Sequence, residues 1–217
     1  RIAVIDVSDP RRPSRVGEHV RSSGAGVRDM VLVDSHLFIA ERGPSLSGAE
    51  GDEGRVVVLD ASDPLRLREV AHVAFDAQAW RLAVTDRRAY VATWEPWVDR
   101  TPVVAIDVAD PARPRVTGEF TPGGTADLDY AAIAARGDTV LVAVENNGLL
   151  ALDVSDPRAI NHTDLFDAAN YTTPADVLVR GRWVYVASSS GLAVIERYES
   201  GQMRQMSHVG GFSGARR

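Results

Sequence analysis

At 217 residues, 45% hydrophobic and 25% charged, the chain is long enough to bury a sizeable core and too apolar for general disorder. Its net charge of −6, with 24 basic residues that are all arginine against 30 acidic ones, argues against a nucleic-acid partner, because phosphate binding needs a basic stripe. The absence of cysteine removes disulfides, thiol catalysis and thiolate metal sites, and no apolar run approaches the ~18 residues of a membrane span.

The first twenty residues read as two strands around VIDVSDP, Val4 to Pro10. Four longer units follow, over residues 27–74, 80–120, 128–167 and 175–209, and each carries period-two apolar alternation broken by Gly, Pro and Asp. Their second strands begin at His36, Ala89, Thr139 and Trp183. Three of their third strands end on the same pentapeptide, in VLDASDP (Val58 to Pro64), AIDVADP (Ala105 to Pro111) and ALDVSDP (Ala151 to Pro157). The last unit holds a degraded copy, AVIERYE, from Ala193 to Glu199. Asp-Pro closes a strand because proline cannot donate to a ladder, while aspartate caps the turn with its carboxylate. The anchors Asp6, Asp60, Asp107 and Asp153 recur every 54, 47 and 46 residues, and Glu196 follows 43 later. A period in the forties means one supersecondary unit repeated, each too small to bury its own apolar face.

Four-stranded units at this spacing predict an all-β fold: a β-propeller of about four and a half blades, one domain over 1–217 or a fragment of one. The opening half blade lacks its two inner strands: either upstream sequence supplies them and the ring is larger, which is the favoured expectation, or the sheets form an open arc with an exposed edge. No Trp precedes Asp as WD40 repeats require, and the double glycines at Gly123 and Gly210 are not periodic as in kelch repeats. The strings Tyr90-Val91-Ala92, Tyr185-Val186-Ala187, Gly191-Leu192, Val4 to Pro10 and Pro13 resemble the LVIVD repeat. That resemblance spans essentially the whole chain. It implies a propeller of an exported or surface-attached bacterial protein, and it carries no catalytic residue across. The last copy departs, with Glu196-Arg197-Tyr198 in place of Asp-Val-Ser and no proline, as a terminal unit would.

In such a blade the Asp-Pro turns share one face, which is structural. The opposite face gathers the connections entering the first strand and those joining second to third, and ligands are expected there. On it lie a Gly/Ser-rich acidic loop from Arg42 to Gly54 and the pair Trp94 and Trp97 in one connection. Asp29, Arg81 and Asp176 align with Ala132 at the entry to the inner strands, beside Asp129 and Tyr130, with Glu145 at a hairpin end. The acidic loop lacks the oxygen spacing of a calcium site, and the five histidines fall in outer strands, a turn and packing positions rather than in a ligand set. HExxH, GxSxG and phosphate-loop motifs are absent.

Two functional readings follow. The favoured one is a non-catalytic binding or scaffolding propeller that needs no cofactor or metal. It would use Trp94, Trp97 and the surrounding loops for a protein or glycan partner. The alternative is a hydrolase or metal-dependent enzyme at the channel mouth, with Asp29, Asp129, Glu145 or Asp176 as ligands or bases. Propeller enzymes draw such residues from separate blades, so they leave no local motif, and fold alone does not assign function.

Overall fold

The computed structural model describes residues 1–20, 25–43, 53–94, 101–122, 130–145, 148–166, 173–198 and 202–210. Among these residues the regular structure is entirely β. Strands β1 (Ile2–Asp6) and β2 (Ser14–His19) form a two-stranded antiparallel sheet. The first four-stranded antiparallel sheet follows, from β3 (Gly26–Val33), β4 (His36–Arg42), β5 (Gly54–Asp60) and β6 (Arg68–Phe75). The second is β7 (Gln78–Val84), β8 (Arg88–Trp94), β9 (Val103–Asp107) and β10 (Arg115–Phe120). The third is β11 (Tyr130–Arg136), β12 (Thr139–Val144), β13 (Gly148–Asp153) and β14 (Asn161–Phe166). The fourth is β15 (Pro174–Arg180), β16 (Trp183–Ser188), β17 (Gly191–Arg197) and β18 (Met203–Gly210). Every strand pairs with its sequence neighbour, as hairpin connections dictate.

The core lies between sheets, not within any one of them. Phe38, Val56, Val58 and Phe75 of the first four-stranded sheet pack on Leu82, Val91, Val104 and Ile106 of the second. Tyr90 and Val103 of the second meet Tyr130, Val140 and Leu150 of the third. Leu141 and Leu149 meet Val177, Val184 and Ile195 of the fourth, and Ile2 of the short sheet reaches Ile39, Val57 and Leu59. Each fully buried Val, Leu or Ile is worth about 1.5–3 kcal/mol, so a sheet alone has no stability and neighbours supply it. First strands touch first strands, β3 on β7, β7 on β11 and β11 on β15, so the sheets fan about them. The fan ends in apolar faces. On the face of β3 turned away from the second sheet, Met30 and Leu32 are exposed, and on the face of the fourth sheet turned away from the third, Leu178, Leu192 and Met206 are exposed.

The pentapeptide makes one local structure four times. Its first aspartate accepts the amide two residues on: Asp6 from Ser8, Asp60 from Ser62, Asp107 from Ala109, Asp153 from Ser155, at 2.8–3.0 Å. Its second does the same across the proline: Asp9 from Arg11, Asp63 from Leu65, Asp110 from Ala112, Asp156 from Arg158. The second aspartate's own carbonyl then accepts the amide three residues on, as Asp63 does from Arg66 at 2.9 Å. Aspartate first and proline second is the preferred composition of a type I turn.

That turn wedges against the outermost strand of the preceding sheet. Each outermost strand is bulged, the register slipping at Val16, Val70, Thr117, Thr163 and Met206. The residue after the bulge is small at Gly17, Ala71 and Gly118, where the next turn arrives. The Pro64 carbonyl stands 3.5 Å from a Cβ placed on Gly17, and the Pro157 carbonyl fills the space a Cβ on Gly118 would need. At the last interface the arriving turn has lost its proline, and Asp164 takes the small residue's place. Its carboxylate reaches across to accept the Met203 amide at 3.0 Å. The departure of the last repeat is thus matched by its neighbour.

Candidate active site

A second set of bulges lies at the start of every first strand. The register slips past Arg28 in β3, Trp80 in β7, Ala131 in β11 and Ala175 in β15. The residues that follow are Asp29, Arg81, Ala132 and Asp176, opposite Ala40, Ala92, Ala143 and Ala187. The alignment expected from sequence therefore holds in the register. Bulges re-aim side chains, and here they set eight at one end of the fan.

Those eight are unequal. The first two sheets contribute Arg28, Asp29, Trp80 and Arg81. The Arg28 guanidinium lies 4.6 Å from the centre of the Trp80 ring and that of Arg81 5.1 Å from it. Trp94, the last residue of β8, sits on Trp80 with ring centres 5.7 Å apart. The third and fourth sheets contribute Ala131, Ala132 and Ala175, which leave room, and Asp176, which is exposed. An arginine–tryptophan wall thus stands beside a low alanine floor that bears one carboxylate.

Asp29 and Arg81 also join sheets. Asp29 accepts the Leu82 amide through Oδ2 at 3.1 Å and its neighbour Met30's amide through Oδ1 at 2.9 Å. Arg81 Nε donates to the Ala131 carbonyl at 2.6 Å. Each reaches one sheet onward, so both hold the rim in shape. Asp176 accepts the Val177 amide at 3.0 Å.

Behind the rim a buried polar residue ties the second and third strands together in three of the four-stranded sheets. At one register position of the second strands stand Glu41, Thr93 and Ser188, with Val144 in the third sheet. Glu41 takes both Nε and Nη2 of Arg55 at 2.8 and 2.7 Å. Thr93 donates to the Pro102 carbonyl at 2.6 Å and Ser188 to that of Gly191 at 3.2 Å. These groups are spoken for by their own loops, as buried polar groups must be.

The remaining expectations divide. Tyr130 is not a surface contact: it is buried at 1% exposure and donates to the Thr101 carbonyl at 2.6 Å. Burial pushes its phenol up to about 12, with the bond to Thr101 opposing. Trp94 belongs to a strand end and is half-buried against Trp80, not displayed on a loop. Glu145 is half-buried just past the end of β12. Trp97, Asp129 and most of the acidic loop lie outside the described residues. Sequence reasoning missed Arg28 and Trp80, because in a bulge the apolar alternation that marks facing residues breaks. The signal was available as the position one before Asp29 and Arg81. Among the described residues no three His, Cys, Asp or Glu side chains assemble into a metal-ligand group.

The LVIVD repeat family model matches residues 129–164 and 174–196. Residues 129–196 carry LVIVD repeats. That LVIVD match covers the third sheet and the first three strands of the fourth, on the alanine side of the rim. None of the curated proteins matches the sequence significantly. Among solved structures, a protein from Lactobacillus plantarum superposes with TM-score 0.71 at 16% identity, over 94% of this chain and 63% of its own. The periplasmic gluconolactonase PpgL of Pseudomonas aeruginosa does so with TM-score 0.71 at 19% identity, over 96% of this chain and 63% of its own. The chain thus spans less than two thirds of either neighbour, and both have the same propeller-like arrangement of sheets. No helix among the described residues is long and apolar enough to cross a membrane.

The second neighbour corrects the reading of a non-catalytic binding or scaffolding protein. An enzyme is built on this arrangement of sheets, so the lack of a local catalytic motif carries no weight against catalysis. The displayed tryptophan on which that reading leaned is packed into the rim at Trp94.

Proposed function

We propose that this chain is part of a β-propeller hydrolase that opens a sugar lactone or a similar cyclic ester at the bulged rim. The observation that carries the reading is the inequality of the bulge positions, with cations and an indole on one side and space with a carboxylate on the other. The likeness to a gluconolactonase supports it at the level of fold. Hydrolysis of a lactone needs water made nucleophilic, donors for the oxyanion and a surface for the ring. In this reading Asp176 accepts the proton of the attacking water. The Arg81 guanidinium faces the developing oxyanion, and Trp80 and Trp94 carry the ring. Water adds to the ester carbonyl, the ring C–O bond breaks, and the leaving alkoxide takes up the proton, giving a hydroxy acid.

The same reading takes the described sheets as four and a half blades of a larger ring forming a single domain, and the exposed Met30, Leu32, Leu178 and Leu192 support it, since further blades would cover them. It places the protein outside the cytoplasm, supported by the periplasmic neighbour and by the repeat type.

The test is hydrolysis of glucono-δ-lactone followed by pH-stat against the spontaneous rate. Wild type is expected to exceed that rate. Asp176→Asn should lower kcat by roughly 10²-fold, the lower range for loss of a general base. A panel of five- and six-membered sugar lactones opened no faster than in buffer sinks the proposal.

A further inference from the structure

Among the described residues, the arginine side of the rim holds two guanidinium groups that no carboxylate answers. Arg28 lies over Trp80, yet its Nε is buried and has no hydrogen-bond partner among the described residues. The side chain of Arg42, at the end of β4 and paired in register with Gly26, has neither hydrogen bond nor ion pair among them. The two are close enough that Arg42 adds to the effect of burial in drawing Arg28's pKa down. Among the described residues of the first sheet's rim strands, Glu41 is held by both donors of Arg55, and Asp29 accepts two backbone amides. A buried donor without an acceptor costs free energy, and two like charges without a counter-ion cost more. Such an arrangement is stable when an anion sits between the guanidinia and takes charge-assisted bonds from both.

We infer that Arg28 and Arg42 form an anion clamp, with Trp80 beneath it, for the carboxylate or phosphate group of a small sugar acid. This rests on the hydrolase reading only for where the substrate lies. Within that reading it makes the substrate a charged lactone, one that carries an acidic group besides the ester that is opened. The Trp80 ring under Arg28 holds that guanidinium in place by a cation–π contact, while the guanidinia take the charge.

Isothermal titration calorimetry with disodium glucarate, glucose 6-phosphate and glucose tests it, and the first two arms distinguish carboxylate from phosphate. Wild type should bind at least one of the anions saturably and glucose not measurably. Affinity should fall at least tenfold in Arg28→Gln and in Arg42→Gln, and should weaken as NaCl rises. Arg28→Lys keeps the charge and loses the buried Nε donor, so it should sit between wild type and Arg28→Gln. No anion binding by wild type overturns the clamp, as does equal binding of glucose, or anion affinity indifferent to NaCl and to both Gln substitutions. The two readings fail separately. Neutral glucono-δ-lactone hydrolysed equally by wild type and by the Arg28→Gln variant, with no anion bound, leaves the hydrolase and removes the clamp. Anion binding that the Gln variants lose, with no lactone opened, leaves the clamp and removes the hydrolase.

Discussion

The two ends of the fan are built by opposite rules. At the Asp-Pro end, four turns repeat one hydrogen-bonding pattern atom for atom, and the carbonyls of Pro64 and Pro157 press on Gly17 and Gly118 of the sheet before. At the bulged end, the same register positions hold an arginine, a tryptophan and two alanines: Arg28, Trp80, Ala131 and Ala175. Repetition marks where sheets must meet identically, and divergence marks where nothing is required of the backbone beyond a shared bulge. A mutation at one end should therefore read out as stability, and at the other as ligand or activity.

The sharpest way to break this contrast is Gly118→Ala. A methyl at Gly118 runs into the Pro157 backbone carbonyl, which cannot swing aside because its turn is fixed by Asp156 and by the Ala159 amide. The expected cost is about 2–4 kcal/mol, in the range of severe overpacking. Gly17→Ala, whose Cβ would sit 3.5 Å from Pro64's carbonyl, should cost well under half of that. Urea denaturation of both variants settles it: equal midpoints would mean the turn is not wedged against the sheet.

Acid separates the ends more gently. The four leading aspartates all have pKa values drawn below the usual 3.8. Asp60 falls to about 2, through the Ser62 hydroxyl and amide and then Arg68. Asp6, Asp107 and Asp153 are lowered chiefly by the amides of Ser8, Ala109 and Ser155. A carboxylate whose pKa is lower in the folded state stabilises fully above its unfolded value, and that contribution is lost as pH falls toward the folded one. Thermal stability should thus drop between about pH 4 and pH 2. Asp60→Ala should be less stable at neutral pH yet lose less over that interval. Parallel profiles for the two proteins would show that the motif aspartates do not act through their charge.

How much of this was legible follows from the same contrast. The Asp-Pro turns could be read from sequence because Asp, Ser and Pro act within a few residues of one another, and because four copies average out chance. The strand order followed, since hairpins join neighbours. The rim could be read only as an alignment, with Asp29, Arg81 and Asp176 at one level. What those residues touch depends on sheets about fifty positions apart, as when Arg81 meets Ala131. Trp94 misled because a strand boundary read from sequence is uncertain by a few residues, so a strand end reads as a connection, and Tyr130 because its partner, the Thr101 carbonyl, lies 29 residues away. Function was less legible still, because no motif is formed when a site borrows one or two residues from each sheet.

The smallest expected effect tests the repeat at its least constrained joint, the turn between first and second strands. Asp34, Gly137 and Gly181 occupy one position there, with φ of 50°, 55° and 63°. The second sheet escapes the requirement by a different turn, in which the Thr85 amide and hydroxyl both bond to the Arg88 carbonyl. A Cβ at Gly137 or Gly181 would meet nothing within 4 Å, so a substitution reports backbone strain alone. Gly137→Ala should cost about 1 kcal/mol, the penalty for left-handed geometry with a side chain. Asp34→Gly should return less, about 0.5 kcal/mol, since aspartate tolerates that region and glycine loses more entropy on folding. Were Gly137→Ala neutral, the turn would have room to relax to negative φ, as the second sheet does. The positive φ at Gly137 would then reflect glycine's preference and not a demand of the fold, leaving Asp34 as the one residue held there against its own.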